Sequence, residues 1–194
     1  MDNIVSNLEG DINSPFVQKR EANKVAVVVI TSNRGLCGAF NTNIIKEAIA
    51  KIENNYTTQR QQKNLTLIFI GKKGFDILKK RYSDAHIVDQ FVDLFSDLSF
   101  ENVSRVSDFI MNGFINKQFD VVDVCYGQFK NAAVQEQKCV SFLPVQPVQK
   151  KDKAAEKKSD YLFEPSKELL LNELIPSILQ TSFQKFVLDN HASE

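Results

Sequence analysis

The residues with the most chemical potential in this chain sit together: Arg34, Gly35, Leu36, Cys37 and Gly38, with Asn41 just beyond. A guanidinium, a thiol and two glycines within so short a stretch are the parts from which an anion site or an activated nucleophile is built. Spacing excludes the familiar versions. A phosphate loop needs four residues between its first glycine and a Gly-Lys-Ser/Thr, but Gly35 is followed by Leu36, Cys37, Gly38, Ala39 and Phe40. The dinucleotide fingerprint GxGxxG is also absent. A phosphatase-like cysteine would need an arginine six residues beyond Cys37, and position 43 is Asn. Two readings remain open: glycines that let the backbone reverse without steric cost, or a turn and helix start that cradle an anion.

The flanking elements place this turn. Residues 24–31, KVAVVVIT, form a near-continuous β-branched run, as in a parallel strand buried on both faces. Asn41 or Thr42 is positioned to cap the helix that follows, where Ile44, Ile45, Ala48, Ile49 and Ile52 make one stripe. The turn therefore lies at the carboxyl end of a strand, where open α/β sheets hold their ligands. The pattern then repeats. Residues 65–70 read as a strand, and Gly71 and Gly74 bracket a turn into a helix carrying Phe75, Ile77, Leu78 and Tyr82. A short strand follows at 85–88. Residues 99–116 read as a helix through Val103, Val106, Phe109, Ile110, Gly113 and Phe114. Strands at 119–126 and 134–143, separated by polar residues 127–131, are expected to be antiparallel. Strands alternating with helices predict a three-layer α/β sandwich with a mostly parallel, Rossmann-like sheet and helices on both faces.

The rest of the chain differs in kind. Residues 144–159, PVQPVQKKDKAAEKKS, have the composition of a flexible surface loop. In the last segment Ser166 is placed to cap a helix, and Leu171, Leu174, Ile175, Ile178, Leu179, Phe183, Phe186 and Val187 mark a broad apolar face. Pro176 removes a backbone donor and is expected to bend that helix. The chain divides accordingly into a helical lead-in (1–23), an α/β domain (24–143), a loop (144–160) and a terminal segment with a long helix (161–194).

Composition narrows the function classes. Twenty-four basic residues balance 24 acidic ones, so bulk charge favours neither nucleic acid nor an anionic membrane. Lys72, Lys73, Lys79, Lys80 and Arg81 make one helix basic, read here as an ordinary solvated face. No apolar run approaches the roughly 20 residues of a membrane span, and no signal peptide is visible at the amino terminus. Cys37, Cys125 and Cys139 are odd in number and far apart, which predicts reduced thiols. Two histidines without metal-ligand spacing predict no metal site.

The segment ITSNRGLCGAFN resembles a signature of the gamma subunits of rotary ATP synthases, usually ITSDRGLCGGFN. Asn33 replaces the usual acidic residue, and Ala39 replaces a glycine. Downstream, residues 160–165 read DYLFEP, similar to that family's DYLYEP, with Phe163 in place of Tyr. The resemblance covers almost the whole chain and implies that this is a piece of a longer subunit: a long helix should precede it, and its last helix should continue into an antiparallel coiled coil. It further implies a rotor without catalytic residues or cofactor, working at the cytoplasmic face of the bacterial inner membrane without inserting into it. Arg34, Gly35, Leu36, Cys37 and Gly38 would face the catalytic alpha and beta subunits. Tyr161, Phe163 and Glu164 would lie by the membrane ring, and an epsilon-type subunit would bind nearby. The competing reading is a small α/β hydrolase or nucleotide-binding enzyme using the turn at 35–38. A receiver-like signalling domain lacks the needed carboxylates, since Thr31, Ser32 and Asn33 stand at the strand end.

Overall fold

A strand without a polar residue is stable only in a sheet covered on both faces, and β1 (Val25–Ile30) is buried at all 6 of its positions. In the computed structural model, which describes residues 14–131, 134–146 and 167–194, β1 is followed by α1 (Phe40–Asn55), a short α2 (Thr57–Gln61) and β2 (Leu65–Ile70). Next come α3 (Lys72–Arg81), β3 (His86–Val88), a 3-10 turn (Leu94–Ser96) and α4 (Phe100–Ile115). The hairpin strands β4 (Val121–Asn131) and β5 (Val134–Leu143) precede α5 (Lys167–Ser193). The strands form one 5-stranded sheet in the order β3-β2-β1-β4-β5. Every pairing is parallel except that of β5 with β4.

Because side chains alternate along a strand, β1 feeds two cores. Val25, Val27 and Val29 pack with Ile44, Ala48 and Ile52 of α1 and with Leu78 and Tyr82 at α3. Ala26, Val28 and Ile30 pack with Val103, Val106, Ile110 and Phe114 of α4 and with Ile175, Leu179, Phe183 and Val187 of α5. These are the three layers expected.

Helix α5 carries Pro176 in its interior and continues as one helical segment on both sides of it. A proline in a helix interior costs about 3 kcal/mol, while burying Ile175, Leu179, Phe183 and Val187 returns about 1.5–3 kcal/mol each, so packing wins. Strand β4 extends to Asn131 rather than ending at Tyr126, carrying the polar stretch 127–131 into the hairpin. Ile77 is exposed, so the buried stripe of α3 is Gly74 and Leu78. Cys125 and Cys139 are not free thiols: they stand directly opposite each other across β4 and β5, with Cα atoms 4.0 Å apart, and form a disulfide. Sequence separation hid what the hairpin register brings together. Cys37 is the free cysteine among the described residues. No helix among them is long and apolar enough to cross a membrane.

Candidate functional site

The turn between β1 and α1 leaves the sheet from two buried residues, Thr31 and Ser32. It then emerges: Arg34, Gly35, Leu36 and Gly38 are exposed and Cys37 is half-buried. Leu36 is fully exposed and holds φ at 67°, a left-handed conformation that costs a residue with a Cβ roughly 1–2 kcal/mol. Gly38 adopts φ of 57° without that cost.

Asn41 holds the turn closed. The expected cap is not made, since α1 begins at Phe40 with no side-chain capping bond. Instead Asn41 Oδ1 accepts from the Ser32 backbone N–H at 2.9 Å, and its Nδ2 donates to Ser32 Oγ at 2.9 Å, Arg34 O at 3.3 Å and Cys37 Sγ at 3.0 Å. Ser32 Oγ donates in turn to Arg34 O at 2.9 Å. Cys37 is a partner in this network, not an isolated nucleophile.

The start of α3 braces the same turn from below. Lys72 N–H donates to Asn33 Oδ1 at 3.0 Å, and Lys73 N–H to Ser32 O at 3.2 Å. Asn33 thus supplies an acceptor oxygen where the resembling family carries a carboxylate. Gly71, at φ 89°, crosses directly over the Thr31 carbonyl, leaving no room for a side chain. The Lys73 ammonium reaches the vicinity of Gly35, so the turn presents Arg34 on a positively charged base. Three of the other basic residues of α3 are drawn into pairs: Lys72 with Asp93 at 2.9 Å, Lys79 with Asp76 at 3.6 Å and Arg81 with Glu53 at 3.8 Å.

The enzyme reading needs an open crevice between the carboxyl ends of β1 and β4, where the strand order reverses. This chain fills it with its own side chains. The Phe40 ring packs against Gly127 of β4 and is 7% exposed. From the end of α5, Asn190 Oδ1 accepts from Gly127 N–H at 3.0 Å, and Ser193 Oγ donates to Gly127 O at 3.4 Å. The neighbouring Tyr126 packs on Phe186 with ring centroids 4.7 Å apart. Its hydroxyl pKa is pushed up to about 12 by burial first, then by the Asp189 and Glu136 charges. An open cleft of about 620 Å³ remains beside these side chains, lined by Cys37, Phe40, Asn43, Gln137, Ser193 and Glu194, and among the described residues no Lys, Arg or His lines it to neutralise a phosphate. Among the described residues no cluster of three or more His, Cys, Asp or Glu is arranged to hold a metal.

The sequence expectations are thus met unevenly. Arg34, Gly35, Leu36, Cys37 and Gly38 form one exposed turn, whereas Tyr161, Phe163 and Glu164 lie outside the described residues. Sequence reasoning missed Phe40, Gly127, Asn190 and Ser193. The available signal was Asn190, a polar residue at helical spacing from Phe183 and Val187 on a buried stripe. It also missed a buried carboxylate, Asp123, in the apolar run of β4. Asp123 accepts from the Tyr56 hydroxyl and lies 3.2 Å from Lys51 Nζ, partners that a buried charge requires. Burial, and then the hydrogen bond and charge of Asp123, raise the Tyr56 pKa well above the ordinary phenol value.

Residues 1–194 match a protein-family profile described as ATP synthase. An ATP synthase gamma chain of Cytophaga hutchinsonii is 38% identical over 195 residues, covering 100% of this chain and 65% of its own length. One of Flavobacterium psychrophilum is 41% identical over 194 residues, covering 100% of this chain and 64% of its own. This chain therefore spans less than two thirds of the length of these curated relatives. The Tetrahymena thermophila mitochondrial ATP synthase central stalk and c-ring structure superposes with a TM-score of 0.62 at 22% identity, covering 91% of this chain and 73% of that one. A Euglena gracilis mitochondrial ATP synthase chain gives 0.55 at 20% identity, covering 89% and 57%. At those identities the likeness is one of fold.

Proposed function

The chain belongs to the family of ATP synthase gamma chains, and we propose that it is the α/β portion of such a subunit, a rotor element that carries torque between a membrane ring and a catalytic hexamer. It makes and breaks no bonds itself. The observation that carries the reading is how the crevice is built: Phe40, Asn190 and Ser193 cover Gly127 where an α/β enzyme would hold its substrate, the cleft beside them has no basic residue among the described residues that line it, and the adjoining turn displays Leu36 and Arg34 to solvent. A close-packed sandwich suits this task, because packed interiors have low compressibility and transmit strain.

In this reading Arg34 makes a charge-assisted contact to an acidic loop of the catalytic alpha or beta subunits, and Leu36 is the apolar contact beside it. Cys37, Gly35 and Gly38 shape the turn. Tyr161 and Phe163 pack on ring loops, aromatic residues being enriched at interfaces, and Glu164 pairs with a basic residue there. An epsilon-type subunit binds the same foot, and the assembly is peripheral to the cytoplasmic face of a bacterial inner membrane. Residues 24–143 act as the rigid body, residues 144–160 as a surface loop and residues 161–194 as the connection to the shaft.

The test is reconstitution of the full-length subunit with catalytic and epsilon-type subunits. Arg34→Ala and Leu36→Ala should each weaken coupled ATP hydrolysis about tenfold while leaving the melting temperature unchanged, as for contact residues at an interface. Calorimetry on the 194-residue chain with ATP, ADP and phosphate should register no saturable binding; stoichiometric binding abolished by Gly35→Val would restore the enzyme reading.

A further inference from the structure

Hydrogen bonds around Asn41 fix the shape of the 34–38 turn, but its position over the sheet is set by Phe40, the first residue of α1. The Phe40 ring lies on β4 at Gly127. A Cβ at residue 127 would stand 2.5 Å from Phe40 Cε2, 3.1 Å from Cζ and 3.5 Å from Ser193 Cβ, the first closer than side chains approach. Gly127 lies in a regular strand position paired with Gln137, so space rather than backbone conformation calls for glycine there. Its N–H and carbonyl are held by Asn190 and Ser193 in the last turns of α5. The Phe40 N–H donates to Cys37 O at 3.2 Å, so the ring is one hydrogen bond from the turn itself.

We propose that Gly127 is the positioning residue of the 34–38 turn: having no side chain, it admits the Phe40 ring and the end of α5 together, and so fixes where Arg34 and Leu36 are presented. The inference rests on the partner-contact reading above and deepens it by naming the residue through which α5 and the turn are coupled. A shift of the α5 end is felt at Gly127, passed to the Phe40 ring and delivered to Cys37 and the turn. Packed side chains pass such shifts on because they have no free volume in which to absorb them.

The experiment uses the full-length subunit with Gly127→Ala, Phe40→Leu and the double variant, reading the alkylation rate of Cys37 by mass spectrometry of its peptide. Cys125 and Cys139 are protected in their disulfide. Gly127→Ala should raise the Cys37 rate roughly 5- to 30-fold, the population shift expected from overpacking. Phe40→Leu should raise it less, and the double variant should be no faster than Phe40→Leu alone, because the added methyl fills space the ring has left. Gly113→Ala, which crowds Phe119 instead, should lower the melting temperature without changing the Cys37 rate. A wild-type rate in Gly127→Ala, multiplicative effects in the double variant, or equal acceleration by Gly113→Ala overturns the proposal. If Gly127→Ala is insoluble, the double variant decides: soluble and no faster than Phe40→Leu supports the coupling, insoluble overturns it. Rates behaving as expected, with unchanged assembly onto the catalytic subunits, would uphold the positioning and sink the partner-contact reading.

Discussion

The two turns that leave neighbouring strands β1 and β2 solve the same problem in opposite ways. The turn after β2 is immediate: Gly71 alone separates strand from helix, buried and left-handed at φ 89°, with its N–H donating to Val92 O at 3.0 Å. The turn after β1 wanders through residues 31–39 before α1 begins, and at its tip keeps a leucine in the left-handed region at φ 67° with its side chain in solvent. Where the backbone is crowded the chain uses glycine; in the open turn it holds both Gly38 and Leu36 in the left-handed region, and at Leu36 it tolerates strain in order to keep a side chain. Strain of that kind persists when the surrounding bonds over-determine it, and the Asn41 network supplies them. One turn is built to pack and the other to display.

That contrast can be broken by substitution. The largest effect is expected at Gly71→Ala, where a Cβ would run into the Thr31 carbonyl at a left-handed φ: urea unfolding should register a loss of about 3–5 kcal/mol. Thr31→Val removes the hydroxyl oxygen that accepts from Gly74 N–H at 2.8 Å, and a buried donor left unpaired should cost about 1–3 kcal/mol in the same assay. Asn41→Ala strikes the displaying turn. It should cost about 1–2 kcal/mol, with hydrogen exchange speeding up across residues 32–41 well before the rest of the domain. Leu36→Gly should go the other way and stabilise by about 0.5–1 kcal/mol, relief of the left-handed leucine outweighing the added chain entropy, while assembly with partner subunits weakens. If Leu36→Gly proved as damaging as Gly71→Ala, the distinction between the turns would fail.

Much of this was legible in the sequence, for a physical reason. Val25–Ile30 is apolar throughout and Leu65–Ile70 apolar but for Thr66 because these strands are covered on both faces, and the helical stripes of α1 and α4 are periodic because one face is buried; both signals are local. What was not legible depends on register and reach. The polar stretch 127–131 reads as a loop because its far end, residues 129–131, is exposed, yet all of it is strand and Gly127 is buried. Cys125 and Cys139 meet only through the pairing of β4 with β5. Asn41 has the composition of a cap but spends its amide on Ser32, Arg34 and Cys37, which no pattern of spacing reveals. The turn itself was found from its residue types; the filling of the crevice beside it, by residues as distant as Asn190, needed the fold.

Strand β1 sits in the middle of the sheet, in register with β2 from Val25 to Ile30 and with β4 from Val25 to Val29, and the exposed turn hangs directly from its end. A pull on that turn along the strand axis therefore loads the rungs of both ladders in shear, all at once, instead of peeling them open one by one from an edge. The protein's most prominent handle is tied to its most firmly woven thread.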